Sequence, residues 1–227
     1  MVTPELNKKI KKAKSVIKKA YSLYPKEKIA LGFTGGKDST VLLHLVRSVF
    51  EGHIPSTVMF NDSTMEFPEI YKFVEKIKKL WKLKLVVIKH DKKSLEKFDK
   101  IKNLQEKQQM SWLMKIESIN NFIKKYRPQV IMSGIRLDEH EARSKEKFFS
   151  KREDHLKVHP ILLFTEKDVW DYIHAFNVPY VSLYDKGYRS LGEKNFTKKA
   201  VVGKGERSGR ENSKEQTMEK LRNMGYW

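Results

Sequence analysis

One stretch constrains this chain more than any other: Ile29-Ala30-Leu31-Gly32-Phe33-Thr34-Gly35-Gly36-Lys37-Asp38-Ser39-Thr40, running on into Val41-Leu42-Leu43-His44-Leu45. An apolar run breaks at a glycine pair, a lysine and an aspartate follow, and apolar residues then resume at helical spacing. The pattern predicts a strand, a tight turn and a helix. Glycines let backbone turn and approach a ligand without a side-chain penalty. A helix start presents unpaired N–H groups and the positive end of a dipole, which favour an anion. Lys37 adds a full charge, and Ser39 and Thr40 add hydroxyls. A plain glycine-containing strand-to-helix connection would not call for Lys-Asp-Ser at that place. The string also departs from the Walker A spacing, because Lys37 directly follows the glycine pair and Asp38 follows it. It reads as a phosphate site of another kind.

The rest of the chain supplies a scaffold for such a loop. Leu6, Ile10, Ala13, Ile17, Ala20 and Leu23 predict a helix over about 4–24, stopped by Pro25. Strands are expected at about 28–34, 56–60, 83–88 and 130–133, and helices at about 39–51, 68–81 and 110–126. The polar stretch 91–109 carries only weak helical signals at Leu95, Phe98 and Ile101. Pro160 to Phe164 reads as a further strand feeding a helix, with Thr165 as N-cap and Asp168 as its reciprocal partner. Strands alternating with helices of this length predict an α/β fold, a parallel twisted sheet with helices on both faces. We expect a nucleotide-binding domain over 1–170, with 171–227 as a C-terminal extension packing near the site.

Composition sets the outer limits. A chain of 227 residues with 39% hydrophobic residues can bury one α/β core. It contains no apolar run of about eighteen residues and no apolar N-terminal leader, so no membrane span or secretion signal is expected, and a cytoplasmic location follows. Cysteine is absent, which removes disulfides, thiolate metal sites and cysteine nucleophiles from this chain. The formal charge of +19 implies anionic partners such as nucleotides, a nucleic acid or an acidic subunit, or else a lysine-coated, solvated surface. Much of the excess is Lys at helix-face positions such as Lys8-Lys9, Lys11-Lys12 and Lys18-Lys19.

Ligands of open α/β sheets sit beyond the carboxyl ends of the strands, where strand order reverses. Three strand ends here carry suitable chemistry. They are the glycine loop, Asn61-Asp62-Ser63-Thr64, and Ser133-Gly134-Ile135-Arg136. The second is either a polar edge for an adenosine or a loop that caps a helix. Arg136 and Arg143 lie in a charge-dense run, 136–144, that is either a ligand contact or a mixed-charge surface loop; arginine's fork suits phosphate or sulfate oxygens. His140, His155 and His159 lack a recognised metal-ligand spacing and are taken as non-ligands.

The loop Thr34-Gly35-Gly36-Lys37-Asp38-Ser39 resembles the S-G-G-x-D-S pyrophosphate loop of the PP-loop ATP pyrophosphatase superfamily, with threonine in place of the first serine. Three later blocks narrow the resemblance: Arg136 to Ser144, His159-Pro160-Ile161-Leu162 with Thr165 to Trp170, and Pro179 to Gly192. These look like the phosphoadenosine-phosphosulfate (PAPS) reductase family, over roughly residues 28–227. The tail, Glu206-Arg207-Ser208-Gly209-Arg210 with Met218 to Arg222 and Gly225-Tyr226-Trp227, looks most like the small subunit of sulfate adenylyltransferase within that family. Members commonly carry a cysteine where Glu193 follows Gly192, and the family's reductases use a further C-terminal cysteine. With no thiol, this chain does not run that reaction alone.

The resemblance implies an adenine nucleotide alpha hydrolase-like fold and ATP cleaved between its α and β phosphates. It implies Mg²⁺ as cofactor, sulfate as the favoured acceptor, and a separate GTPase subunit as partner; a homo-oligomer is a further expectation, and nucleic acid a less favoured one. Residues 35–39, with Lys37 and Ser39, would hold the leaving pyrophosphate, and Phe33, Thr34, Asn61, Asp62 and Gly134 would complete the nucleotide site. Asp38 would orient Lys37 or help hold Mg²⁺. Arg136 and Arg143 would bind the acceptor or the α phosphate. Arg207 and Arg210 would close over the site from the tail or serve a surface or partner contact. FMN as acceptor, a tRNA-modifying adenylase, and a thiol-less nucleotide-binding protein without turnover stay open as alternatives.

Overall fold

The computed structural model describes residues 2–210 and 221–222. Six strands form one sheet: β1 (Ile29–Gly32), β2 (Thr57–Asp62), β3 (Leu85–Lys89), β4 (Val130–Met132), β5 (Phe149–Lys151) and β6 (Leu156–Val158). Their order is β3-β2-β1-β4-β6-β5. All neighbours run parallel except β5 against β6. The chain therefore builds outward from β1 to β3 on one side, then returns to place β4 and β6 on the other. That reversal opens a crevice at the carboxyl ends of β1 and β4, where the glycine loop lies.

Two helical layers cover the sheet. Helix α1 (Pro4–Leu23) begins with a proline, which suits a first turn, behind the Thr3 N-cap, whose hydroxyl accepts from Leu6 N at 3.2 Å. Its buried stripe of Leu6, Ile10, Ala13, Ile17 and Ala20 joins α2 (Lys37–Val49), α3 (Pro68–Leu80) and α6 (Glu166–Ala175) in the main core. The opposite face carries α5 (Leu104–Tyr126). There Ile119, Phe122 and Ile123 pack on Ala30, Met59 and Ile131. Residues on both sides of 170 share the main core, and 170 itself lies within α6.

Several local expectations need correction. Asn61 and Asp62 complete β2 rather than forming a loop. Residues 160–164 form turns, not a strand, with Leu162 N donating to His159 O and Phe164 N to Ile161 O. Pro160 has no N–H to give to a ladder, and Ile161, Leu162 and Phe164 are apolar because the turn is buried, not because it is extended. The polar stretch 91–109 holds α4 (Lys92–Lys100) and the first turns of α5. Each starts at a side-chain cap, Asp91 to Ser94 N and Asn103 to Gln105 N and Glu106 N. The short hairpin β5–β6 lay hidden among charged residues. The expected capping box at Thr165 and Asp168 is present in both directions.

Half-buried His44 is one of the histidines whose lowered pKa makes stability depend on pH. His44 on α2 contacts the Tyr172 hydroxyl at 2.8 Å. Burial, then the charges of Arg47 and Lys14, lower its pKa from 6.5 to about 4. The unfolded chain binds a proton near pH 6.5 and the folded chain only near pH 4, so between those values the unfolded state holds more protons and acid favours it. Lowering the pH from 7 to 4 is expected to reduce the melting temperature, and His44→Gln to flatten that slope. An unchanged slope in the variant would remove His44 as the cause.

Candidate active site

The glycine loop is fastened from within. Gly35 has φ +74°, a left-handed conformation that glycine adopts freely, and a Cβ there would stand 3.0 Å from Ile70 Cγ2. Gly36 is the N-cap position of α2. The Ser39 hydroxyl meets Thr34 Oγ1 at 3.1 Å and donates to Gly36 O at 3.0 Å, and Thr40 Oγ1 donates to the same carbonyl. The Lys37 N–H, an unpaired donor of the first helical turn, reaches the Tyr184 hydroxyl at 2.9 Å. Gly134, just beyond β4, presses against this turn; its Cβ would lie 2.8 Å from the Asp38 carbonyl oxygen.

Behind the loop lies a dense ionic cluster. Lys37, 1% exposed, directs Nζ to Asp38 Oδ2 at 3.3 Å, to the Arg189 carbonyl at 3.0 Å and to the Glu206 carboxylate. Arg136 is fully buried and divides its guanidinium among Asp38 at 2.6 Å, Asp138 at 2.7 Å and Glu206. Arg143 pairs with Glu139, which also lies 3.7 Å from Arg207. Burial works against a charged Lys37, yet Asp38, Tyr184 and Glu206 outweigh it and hold its pKa above the ordinary value. Burial pushes the Glu206 carboxyl up despite its two cations. Asp38 goes the other way: burial is outweighed by Lys37 and Arg136, so its pKa is depressed. Glu206 thus bridges Lys37 and Arg136 as a phosphate oxygen pair would.

A cavity opens from this cluster between the strand ends and α5. Alternation along the strands puts Gly32, Met59, Asn61, Ile131, Ser133 and Lys157 on one face, and all of them line it. Helix α5 adds Lys115 and Ile119, and Arg143, Arg207 and Arg210 line it as well. Asn61 donates Nδ2 to Lys115 O at 3.2 Å, which leaves its buried Oδ1 without a partner. Such an orphaned acceptor on a cavity wall fits a donor such as the exocyclic amine of adenine.

Most of the expected residues meet here. Phe33, Thr34, Gly36, Lys37, Asp38, Ser39, Asn61, Gly134, Arg143, Arg207 and Arg210 line the cavity. Asp62 is placed elsewhere, its carboxylate accepting from Thr64 N and the Tyr71 hydroxyl. Arg136 stands behind the wall in the ionic cluster, and Gly35 turns toward Ile70. Glu193 is buried between the Ser111 hydroxyl and Lys115 Nζ, 3.1 Å away, so an ion pair occupies the position after Gly192. Met218 to Lys220 and Gly225 to Trp227 lie outside the described residues. Glu139, Tyr184, Lys157 and Glu206 were not singled out by the sequence. Glu139, Tyr184 and Glu206 lie inside stretches that carry the family resemblance, which was their signal; Lys157 had none.

Among the described residues, the side chains placed to share a cation are Asp38, Glu139 and Glu206, whose carboxylate oxygens lie within 4.8 Å of one another. Three carboxylates form an all-oxygen donor set, which fits Mg²⁺. His140, His155 and His159 are otherwise engaged, with Ala142 N, Asp154 and the Ser133 hydroxyl.

Residues 28–199 match the phosphoadenosine phosphosulfate reductase domain. This chain belongs to that family. As a PAPS reductase domain it is 30% identical over 186 residues to sulfate adenylyltransferase subunit 2 of Buchnera aphidicola, covering 70% of this chain and 61% of that one. It is 30% identical over 213 residues to the adenosine 5'-phosphosulfate reductase of Bacillus thuringiensis, covering 88% and 86%. It spans 45% of the length of an uncharacterized protein of Methanocaldococcus jannaschii, with 33% identity over 190 residues and 80% of this chain covered. The PAPS reductase domain also superposes on FMN adenylyltransferase of Candida glabrata in complex with FAD and pyrophosphate, with TM-score 0.67, 21% identity and coverage of 86% and 65%. That likeness establishes the shared α/β fold. No helix among the described residues is long and apolar enough to cross a membrane.

Proposed function

We propose that this chain transfers the adenylyl group of ATP to an oxyanion acceptor, with sulfate the favoured one. The observation that carries the reading is the Glu206 carboxylate seated between Lys37 and Arg136 beside the start of α2. A place built for two anionic oxygens, next to a helix N-terminus and a cavity, suits the phosphates of a nucleotide. An acceptor oxygen attacks the α phosphorus, the bond to the β-bridging oxygen breaks, and pyrophosphate leaves with the electron pair. No general base is needed when the acceptor is already an anion.

In this mechanism the loop N–H groups, Lys37 and Ser39 hold the leaving pyrophosphate, and donors placed in advance stabilise the charge that develops. Arg143, Arg207 and Arg210 hold the acceptor or the α phosphate. Once the phosphates take the place of Glu206, Asp38 and Glu139 would hold Mg²⁺, which when bound neutralises phosphate charge. Adenylyl sulfate is a mixed anhydride, so its synthesis is strongly uphill, and a partner GTPase would supply the drive. The chain has no cysteine; a thiol-dependent reduction would require a thiol from elsewhere. The apolar wall of Met59, Ile119, Ile131 and Ile135 also gives FMN a place as acceptor.

The test runs the reaction in its downhill direction. ATP formation from adenylyl sulfate and pyrophosphate is expected, alongside forward pyrophosphate release screened with sulfate, FMN and transfer RNA. ATP made from FAD and pyrophosphate instead would move the acceptor to FMN. No turnover with any of these would overturn adenylyl transfer.

A further inference from the structure

Lys157 is the most unusual group in the cavity that the reaction above leaves unused. It sits on β6, paired in register with Ile131 of β4, and its side chain follows Ile131 onto the face that lines the cavity. It is 3% exposed. Buried lysines are rare unless paired, and the Lys157 amine has no side-chain hydrogen bond or ion pair among the described residues. The charges it feels are Arg152, which repels it, and Glu146 and Asp154, which attract it without reaching contact; burial first, then Arg152, lowers its pKa to about 8. Its neighbour across the ladder is Ile131, which packs with Ile119 in the apolar cluster under α5.

Position in the sheet separates Lys157 from the unpartnered Asn61 Oδ1. Asn61 lies on β2 and Lys157 on β6, with β1 and β4 between them. Three strand spacings of roughly 4.8 Å separate them by about 14 Å across the sheet, and the register sets Asn61 a further four residues, about 13 Å, along the strand direction. A purine ring is too small to touch both. Asn61 offers an acceptor and Lys157 a donor, so the two ends of the cavity ask for different chemical groups. If the adenine amine meets Asn61, the phosphates turn at β1 and the opposite end is left to the second substrate.

We infer that Lys157 determines acceptor specificity: its amine meets an anionic or carbonyl oxygen of the second substrate at the β6 end of the cavity. This rests on the adenylyl-transfer reading for the identity of that substrate. The binding chemistry stands separately. An oxygen placed there would satisfy a cation that otherwise bears its desolvation cost alone. A sulfate oxygen and a flavin oxygen offer the same chemistry, and the experiment distinguishes them.

Binding and turnover are measured for wild type, Lys157→Met and Lys157→Arg, using a non-hydrolysable ATP analogue, sulfate and FMN as probes. Lys157→Met is expected to weaken the bound acceptor at least tenfold while analogue affinity stays within about twofold, and Lys157→Arg to recover part of the loss. The probe that loses affinity names the source. Equal loss for analogue and acceptor, or no loss for either acceptor, would overturn the role. If Lys157→Met does not fold, Lys157→Arg carries the same comparison, and an acceptor affinity there equal to wild type with altered analogue binding overturns it too. Wild-type protein that binds an acceptor through Lys157 but releases no pyrophosphate would defeat the adenylyl-transfer reading and leave this site standing.

Discussion

Replacing Lys37 by alanine is expected to cut ATP-dependent adenylyl transfer about 10²–10³-fold, the usual cost of one lost donor to developing charge. Lys37 is the residue best placed for this role because its amine is already desolvated and held charged by Asp38 and Glu206. No reorganisation is then needed when negative charge moves onto the leaving pyrophosphate. The substitution also takes one of two cations from the buried Asp38 and Glu206 carboxylates, leaving them Arg136 alone, so the melting temperature must be followed beside the rate. A folded Lys37→Ala protein that turns over at the wild-type rate would remove Lys37 from the chemistry. Single-turnover measurements at saturating ATP separate this from a simple loss of binding.

Glu206→Gln is expected to tighten ATP binding by tenfold or more. The carboxylate bridges Lys37 and Arg136, so a nucleotide that uses those cations must first displace it. A ligand competing with an internal occupant loses affinity in proportion to how strongly the occupied state is favoured. The neutral amide keeps the shape and gives up most of the attraction. Binding should be measured with and without Mg²⁺, because Glu206 also stands in the acidic trio. Tighter binding without Mg²⁺ fits displacement. Weaker binding without Mg²⁺ would show that Glu206 assists the nucleotide and would sink the idea.

The sequence was most informative where physical chemistry is local. The glycine pair, the helix start at Lys37 and the alternation of strands with helices can be read because each depends on residues within a few positions. Asn61 and Gly134 were legible as strand-end residues, although Gly134 also serves as the contact that lets β4 press on the Asp38 backbone. Arg136 was legible as charge but not as position. Its burial depends on Asp38, Asp138 and Glu206 arriving from three separate parts of the chain. Glu206 stood within the tail motif Glu206-Arg207-Ser208-Gly209-Arg210, where the arginines, not the acid, carried the expected contact. The strand expected at 160–164 failed for a similar reason: a buried turn and a buried strand have the same apolar composition.

Gly134 carries one more consequence, a mechanical one. Backbone stands on backbone where it meets Asp38 and Ser39, with no compliant side chain between them. The strand end that carries Arg136 and the turn that carries Lys37 therefore shift together or not at all. A nucleotide finds these cations already registered to each other, with little freedom left to lose on binding. The segment bearing Glu206 is held in another way, without regular secondary structure and at separate points, Lys198 to Gly209 and Arg189 to the Lys204 carbonyl. One half of the site is an anvil of backbone on backbone, and the other is tied down point by point.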